Sequence, residues 1–103
     1  MVEGAAVKTT QLRDYTIKPG QLGDFVAVWT QGIRPLRQKK GFVIEGAWKI
    51  PSEERFVWVV TYDGPDDWET ANRAYYDSPE RKAMDPDPAS FILAQRIAFI
   101  DPV

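Results

Sequence analysis

Residues 14–29, DYTIKPGQLGDFVAVW, change their apolar period partway along and so decide the fold. Up to Ile17 the side chains alternate in the manner of a β-strand, whereas from Leu22 the apolar residues recur at helical spacing. Pro19 and Gly20 mark the switch, because this pair of residues favours a turn. The stretch therefore predicts a first strand, a tight break and a long amphipathic helix.

The same periodicity predicts that the strand spans residues 7–17 and the helix residues 22–40. Pro35 should bend the last turns of this helix, since it lacks an amide hydrogen and crowds the preceding turn. Arg37, Lys39 and Lys40 are interpreted as cations that stabilise the helix end, and Gly41 as its left-handed cap. The helix buries one apolar stripe, made of Leu22, Phe25, Val26, Trp29, Ile33 and Leu36.

The rest of the chain predicts a hairpin, a second helical region and a last strand. Residues 42–50 and 55–63 are rich in β-branched and aromatic residues and are separated by a short polar turn. A helix over residues 66–76 should turn Trp68, Ala71 and Tyr75 inward, and Ser78 should cap a short helix after it. Residues 90–100 complete a ferredoxin-like βαββαβ order, an α+β class with helices on one face of an antiparallel sheet. The first and third strands are expected in the middle.

Composition limits the functions that the chain can perform. It has 103 residues with a formal net charge of −2, which gives no broad attraction for nucleic acid or an anionic membrane. It contains no cysteine and no histidine, so imidazole bases, haem imidazole ligands and thiolate metal sites are excluded. We expect one domain over residues 1–103 with a flexible tail at residues 1–6, no cofactor, no metal site, and a cytoplasmic location.

The sheet face opposite the helices poses a problem. If the strand parities place Tyr15, Trp58 and Tyr62 on that face, it forms an aromatic patch that is rarely left open to water. Stacked RNA bases or a second copy of the sheet would cover it. The third strand lacks the glycine of the RNA-recognition pattern and has little positive charge nearby. A homodimer formed through the sheet face is therefore favoured over RNA binding.

Residues 12–42 resemble the opening of the NIPSNAP family, in which a strand of the form L-R-x-Y-x-x-K-P-G leads into a helix that ends in P-L-R-x-x-x-G-F. The resemblance continues through Gly46, Trp48, the Tyr62-Asp63 strand end and the DSPE helix start, and covers nearly the whole domain. The matching residues are Leu12, Arg13, Tyr15, Lys18, Pro19, Gly20, Pro35, Leu36, Arg37, Gly41 and Phe42.

The resemblance implies a dimeric α+β barrel, in which two ferredoxin-like subunits join their sheets. The wider group contains cofactor-independent monooxygenases of aromatic polyketides, isomerases, polyketide cyclases and haem enzymes, and fold alone does not choose among them. Many similar sequences carry a histidine about where this chain has Trp58, so an imidazole-dependent role is not expected.

Arg13, Tyr15, Trp58 and Tyr62 are the candidate ligand-binding residues, placed toward the barrel interior. Their rings would stack on a small aromatic or polyketide-like molecule while Arg13 binds an enolate or carboxylate. The alternative is that Arg13 pairs with Glu45 or another carboxylate and the rings are core. If the face is misassigned, Asp14 replaces Arg13 in the barrel.

The chemistry remains open between two hypotheses, because the sequence offers no obvious general base. The first is a small-molecule site, either a binder or a cofactor-independent monooxygenase, isomerase or cyclase. The second is a structural or protein-interaction homodimer whose barrel is filled by its own side chains.

Overall fold

The computed structural model describes residues 8–103, which form a four-stranded antiparallel sheet with helices packed on one face. The predicted βαββαβ order is confirmed. The strands are β1 (Thr9–Ile17), β2 (Phe42–Ile50), β3 (Arg55–Tyr62) and β4 (Ile92–Ile100); the helices are α1 (Leu22–Val28), α2 (Arg34–Lys39), α3 (Trp68–Asp77) and α4 (Pro79–Lys82). The flexible tail predicted at residues 1–6 lies outside the described residues.

The strand order is β2-β3-β1-β4, so the first and third strands lie in the middle as predicted. Arg13 of β1 is paired with Trp58 of β3, and Leu12 is paired with Val59. Because neighbouring side chains of a strand point to opposite faces, these two pairs belong to opposite faces of the sheet.

The long predicted helix is interrupted by a π-helical turn at Trp29–Ile33, which connects α1 to α2. Pro35 lies in the first turn of α2, so the irregularity precedes the proline instead of following it. A π-helical turn widens the hydrogen-bond ladder locally and often marks a functional site. Gly41 has a φ of +94° and ends the helix in the left-handed region, as expected.

The aromatic residues of β1 and β3 lie beneath the helices, which corrects the face assigned from the sequence. Tyr15 packs edge-on against Phe25 of α1 with ring centroids 5.8 Å apart, and Trp58 packs against Trp29 at 5.6 Å. Arg13, the cross-strand partner of Trp58, lies on the same face. The period of two shows which residues share a face, but both faces of β3 are apolar, so it does not show which one the helices cover.

The sheet face without helices carries a mixed apolar and polar surface, which we call the open face. Leu12, Val57 and Val59 run along its centre and are only partly buried. Asp14 belongs to this face, where its carboxylate accepts hydrogen bonds from Arg55 at 3.0 and 2.5 Å. The most exposed apolar residues of the open face are Trp48 (57 %), Val43 (51 %) and Ile100 (38 %).

The second helical region begins with a side-chain cap at Asp67, and the predicted cap at Ser78 starts α4. The Asp67 carboxylate accepts a hydrogen bond from the Thr70 amide at 2.8 Å and starts α3. Trp68, Ala71 and Tyr75 of this helix are buried, which confirms the predicted inward face. Within residues 8–103, no helix is long and apolar enough to cross a membrane.

Candidate functional site

A cavity of about 260 Å³ lies between the sheet and the helices. Strand β1, strand β3, α2, α3 and α4 each contribute side chains to it, so its shape depends on the packing of both helical regions on the sheet. Its wall combines aromatic rings with guanidinium groups. The lining residues that carry polar side chains or rings include Tyr15, Arg37, Trp58, Tyr75, Tyr76 and Arg81.

Arg13 lies directly behind this wall and connects two of its phenols. Its Nη1 donates to the hydroxyl of Tyr15 at 3.0 Å and to that of Tyr76 at 2.9 Å, and its Nε donates to Gln11 at 2.7 Å. Burial, the largest effect, lowers the pKa of Arg13, but the two phenols outweigh it and the pKa is raised overall. Arg13 is therefore a buried cation that holds Tyr15 and Tyr76 in place.

Arg37 is the most deeply buried cation of the cavity, with 1 % of its surface exposed. Its guanidinium carbon lies 3.8 Å from the centroid of the Tyr75 ring and 4.6 Å from that of Phe42. Its Nη1 donates to the Asn72 side chain at 2.8 Å. Burial lowers the pKa of Arg37 to about 10, so the side chain still carries its charge at neutral pH. Among residues 8–103, neither Arg37 nor Arg13 pairs with a carboxylate.

Arg81 reaches the cavity from α4, whose position is fixed by Ser78. The Ser78 hydroxyl accepts a hydrogen bond from the Arg81 amide at 3.2 Å and donates to the Tyr75 carbonyl at 2.7 Å. This cap joins the end of α3 to the start of α4, and it brings Arg81 to within 5.5 Å of the Tyr76 ring centroid. Arg81 donates one hydrogen bond to the exposed Asp87 at 3.2 Å.

Polar atoms without partners are concentrated around this cavity. Five buried side-chain nitrogen or oxygen atoms of residues 8–103 lack a hydrogen-bond partner, and four of them belong to cavity residues. Leaving such a group unpaired costs about 1–3 kcal/mol, more if it is charged. The cavity is therefore suited to a ligand that supplies acceptor atoms. The four atoms are Arg37 Nε, Trp58 Nε1, Tyr75 OH and Arg81 Nε.

Tyr76 lies at the rim of the cavity and is about one third exposed. Burial is the largest single influence on its hydroxyl and raises the pKa of Tyr76. The charges of Arg13, Arg37 and Arg81 outweigh burial, so the pKa is lowered overall. The pKa of the neighbouring Tyr75 moves the other way, because burial there dominates and raises it.

The structure brings together three of the four residues proposed from the sequence. Tyr15 and Trp58 line the cavity and Arg13 supports it from behind. Tyr62 does not line it, since its ring packs on Phe42 with centroids 5.0 Å apart. The alternative partner proposed for Arg13 is not seen, because Glu45 accepts a hydrogen bond from Thr61 instead.

Sequence reasoning missed the two cations that line the cavity. The charge of Arg37 favours a helix-end cation, but Arg37 follows Ile33 by four residues and therefore lies on the buried stripe. This spacing is the signal in the sequence that predicts the burial of Arg37. Tyr76 and Arg81 gave no comparable signal, because the cap at Ser78 decides how α4 approaches α3.

A family model described as NIPSNAP matches residues 10–103. The chain belongs to the NIPSNAP family. The resemblance seen in the sequence is thereby confirmed. None of the curated proteins with which this NIPSNAP chain was compared is significantly similar to it.

Solved structures of other family members have the same fold. A NIPSNAP family protein from Agrobacterium tumefaciens superposes with a TM-score of 0.82 at 12% identity, covering 94% of both chains. An uncharacterised NIPSNAP domain protein from Burkholderia xenovorans gives a TM-score of 0.76 at 18% identity, covering 92% of this chain and 94% of the other. These likenesses confirm the α+β ferredoxin-like class.

A protein that is not named as a NIPSNAP protein has the same fold. A provisionally named antibiotic biosynthesis monooxygenase from Caulobacter crescentus superposes with a TM-score of 0.72 at 13% identity, covering 96% of this chain and 92% of the other. At this identity the likeness shows the fold alone. No group of three or more metal-ligating side chains that could hold an ion occurs among residues 8–103.

Proposed function

We propose that this NIPSNAP protein binds a small, planar organic anion in the cavity beneath its helices. The observation that carries the proposal is Arg37, a buried charge at the cavity wall whose Nε has no hydrogen-bond partner and which has no carboxylate partner among residues 8–103. A buried charge without a counter-ion is costly, whereas a bound anion would compensate it. Arg13 and Arg81 add two further positive charges within the same site.

The rest of the wall favours an aromatic or polyketide-like compound as this anion. Trp58, Tyr75 and Tyr76 supply ring faces for stacking, and Trp58 Nε1 and Tyr75 OH could bind oxygen atoms of the ligand. The volume of about 260 Å³ lies just below the range of typical ligand pockets, roughly 300–1,000 Å³, so the ligand must be small. A compound of one or two fused rings with a carboxylate, phenolate or enolate fits these requirements.

Cofactor-independent oxygenation, isomerisation and cyclisation are the reactions that suit such a site. Each begins when a carbon acid loses a proton and its negative charge is stabilised by nearby donors. The name of the Caulobacter crescentus relative agrees with the first of them. The rival function, a structural or interaction homodimer without a ligand, does not account for the unpaired polar atoms around this cavity.

We also propose that the protein is a cytoplasmic homodimer joined through its open face. Leu12, Val57 and Val59 are left partly exposed there, which a second copy of the sheet would bury. The absence of cysteine agrees with a reducing compartment. The ligand cavity lies on the opposite side of the sheet, so two copies would bind ligand independently of each other.

Calorimetric titration with matched acids and amides tests the anion site. The probes are 2-naphthoate and benzoate, each compared with its neutral amide. We expect the acids to bind and the amides to bind at least about tenfold more weakly, because a charge-assisted hydrogen bond contributes about 1.5–3 kcal/mol. Arg37→Met should remove the preference for acids. Lys39→Met, which changes an exposed cation of the same helix, should leave it intact.

Equal affinity for 2-naphthoate and 2-naphthamide would overturn the anion site, and so would an Arg37→Met variant that keeps the preference. If neither acid binds the wild-type protein, the filled-interior homodimer becomes the better description.

A further inference from the structure

We propose that Tyr76 is a catalytic base, which removes a proton from a carbon next to a carbonyl group of the bound compound. The arginines around it hold the resulting enolate. This inference rests on the proposed function, because the substrate must occupy the same cavity. It goes beyond binding, since it assigns an activity and a substrate class. The substrates are ring ketones that can form an enolate, including ring ketones that also carry a carboxylate group.

The position of Tyr76 provides the geometry for this role. Its hydroxyl accepts a hydrogen bond from Arg13 Nη1 at 2.9 Å while its ring lines the cavity. Guanidinium carbons of Arg13, Arg37 and Arg81 lie 6.0, 5.3 and 5.5 Å from its ring centroid. These cations come from β1, α2 and α4, so Tyr76 is surrounded by positive charge from three elements.

Within residues 8–103, Asp87 is the carboxylate bonded to one of these cations: it is exposed and pairs with Arg81 Nη1 at 3.2 Å, whereas Arg13 and Arg37 have no carboxylate partner. Two other phenols are close to it: the Tyr75 ring lies 5.0 Å away between centroids, and the Tyr15 hydroxyl shares the Arg13 Nη1 donor. The surrounding arginines thus favour the phenolate, and the lowered pKa of Tyr76 has this cause. A larger fraction of Tyr76 is ionised at neutral pH than for a tyrosine in water.

The proton transfer balances without a further reactant. The carbon–hydrogen bond of the substrate breaks, its electron pair remains on the substrate as the enolate, and the proton joins the Tyr76 phenolate oxygen. The negative charge moves from the Tyr76 phenolate to the substrate enolate. Both lie beside the same arginines, so the charge stays stabilised. Arg37 Nε and Arg81 Nε have no hydrogen-bond partner in the described part of the chain and are available to the enolate oxygen.

The carboxylates of Glu45 and Asp14 do not line the cavity. Glu45 accepts a hydrogen bond from Thr61, and Asp14 is paired with Arg55 on the open face. Neither carboxylate is therefore placed to act on a ligand in the cavity. Tyr76 provides the proton acceptor that the sequence did not reveal.

Deuterium exchange into 2-tetralone, followed by nuclear magnetic resonance in deuterated buffer, tests the activity. We expect the wild-type protein to accelerate exchange at the carbons beside the carbonyl group. Tyr76→Phe should reduce the acceleration by about 10²-fold or more, which is the usual contribution of a general base. Tyr62→Phe removes a phenol hydroxyl outside the cavity and should leave the rate unchanged.

Binding of 2-naphthoate, measured on the same variants, separates this inference from the proposed function. If Tyr76→Phe binds the acid and loses exchange, both are supported. If wild-type protein binds the acid but does not accelerate exchange, or if Tyr76→Phe keeps the acceleration, the base is overturned and the anion site stands. If wild-type protein does not bind the acid, both are overturned.

An ultraviolet titration of tyrosine ionisation gives a readout that needs no ligand. One tyrosine of the wild-type protein should ionise at lower pH than the others. That early step should be absent from Tyr76→Phe and present in Tyr75→Phe. Its persistence in Tyr76→Phe would overturn the assignment of the ionised group.

Discussion

The guanidinium carbon of Arg37 lies 3.8 Å from the centroid of the Tyr75 ring, and both residues are almost completely buried beside the cavity. A charge in this position contributes little to folding, because its desolvation cost offsets what stacking and the bond to Asn72 provide. A residue that serves ligand binding rather than stability has this signature.

Replacing Arg37 by methionine should therefore separate binding from stability. Methionine keeps most of the apolar volume and removes the charge, so the free energy of unfolding in urea should fall by no more than about 1 kcal/mol, or rise. Arg37→Ala leaves a cavity and should cost about 2–5 kcal/mol, as large-to-small core changes do. A loss of about 3–5 kcal/mol in Arg37→Met would instead show that the charge has a stabilising role.

Ser78 is expected to contribute to both the fold and the cavity. Its hydroxyl caps α4 and bonds to the end of α3, and it is 4 % exposed. Ser78→Ala should lower the free energy of unfolding by about 1–2 kcal/mol, because a helix cap and a buried hydrogen bond are lost. It should also weaken binding of 2-naphthoate, since Arg81 is no longer held in place.

The matched control for this change is Ser52→Ala, which alters an exposed serine in the turn between β2 and β3. Surface changes of this kind usually stay within about 0.5 kcal/mol. Equal stability of the two variants would refute a structural role for the Ser78 cap.

The order of elements could be predicted from the sequence because local signals determine it. The switch of period at Pro19-Gly20 and the left-handed Gly41 are both visible in the chain and are present in the structure, where Gly20 has a φ of +78°. The cap at Ser78 is likewise a local feature that is visible in the sequence. Each of these features depends on residues that are close together along the chain.

The covered face and the full site could not be predicted in this way. Alternation groups Arg13 with Tyr15, but only packing against Phe25 and Trp29 decides that this group lies under the helices. Arg37 is charged and therefore suggests an exposed helix end, although its spacing places it on the buried stripe. Its burial depends on rings from β2 and α3, which are distant in the sequence.

Asp67 should make the stability of α3 depend on acid pH. Hydrogen bonds with Thr70 lower the pKa of Asp67 below its usual value, the one with the Thr70 side chain contributing most and the one from the Thr70 amide next. A carboxylate whose pKa falls on folding contributes stability that is fully present above its unfolded pKa, about 3.9, and is lost as the pH drops through its folded pKa. Asp67→Ala should therefore melt at a lower temperature than wild type at pH 7.

The difference in melting temperature between wild type and Asp67→Ala should shrink as the pH falls below about 3.9. Asp67→Asn keeps a capping oxygen but has no titrating group at this position. The contribution of its cap to the melting temperature should therefore not change as the pH falls. Thermal melts recorded from pH 2 to pH 7 measure all three proteins. A difference that stays constant over this range would show that the cap does not depend on ionisation.

The open face should decide the oligomeric state. Val59 lies at its centre, paired with Leu12, and is only partly buried in a single chain. Val59→Lys would place a charge between two sheets, which would disfavour their association. Sedimentation equilibrium should give twice the chain mass of 11.7 kDa for wild type and a single chain mass for Val59→Lys.

Ala27→Lys introduces the same charge at an exposed position of α1 and should remain dimeric. A wild-type protein that sediments as a monomer, or a Val59→Lys variant that stays dimeric, would rule out the open face as the interface. Because the cavity lies on the other side of the sheet, a monomeric Val59→Lys should still bind 2-naphthoate.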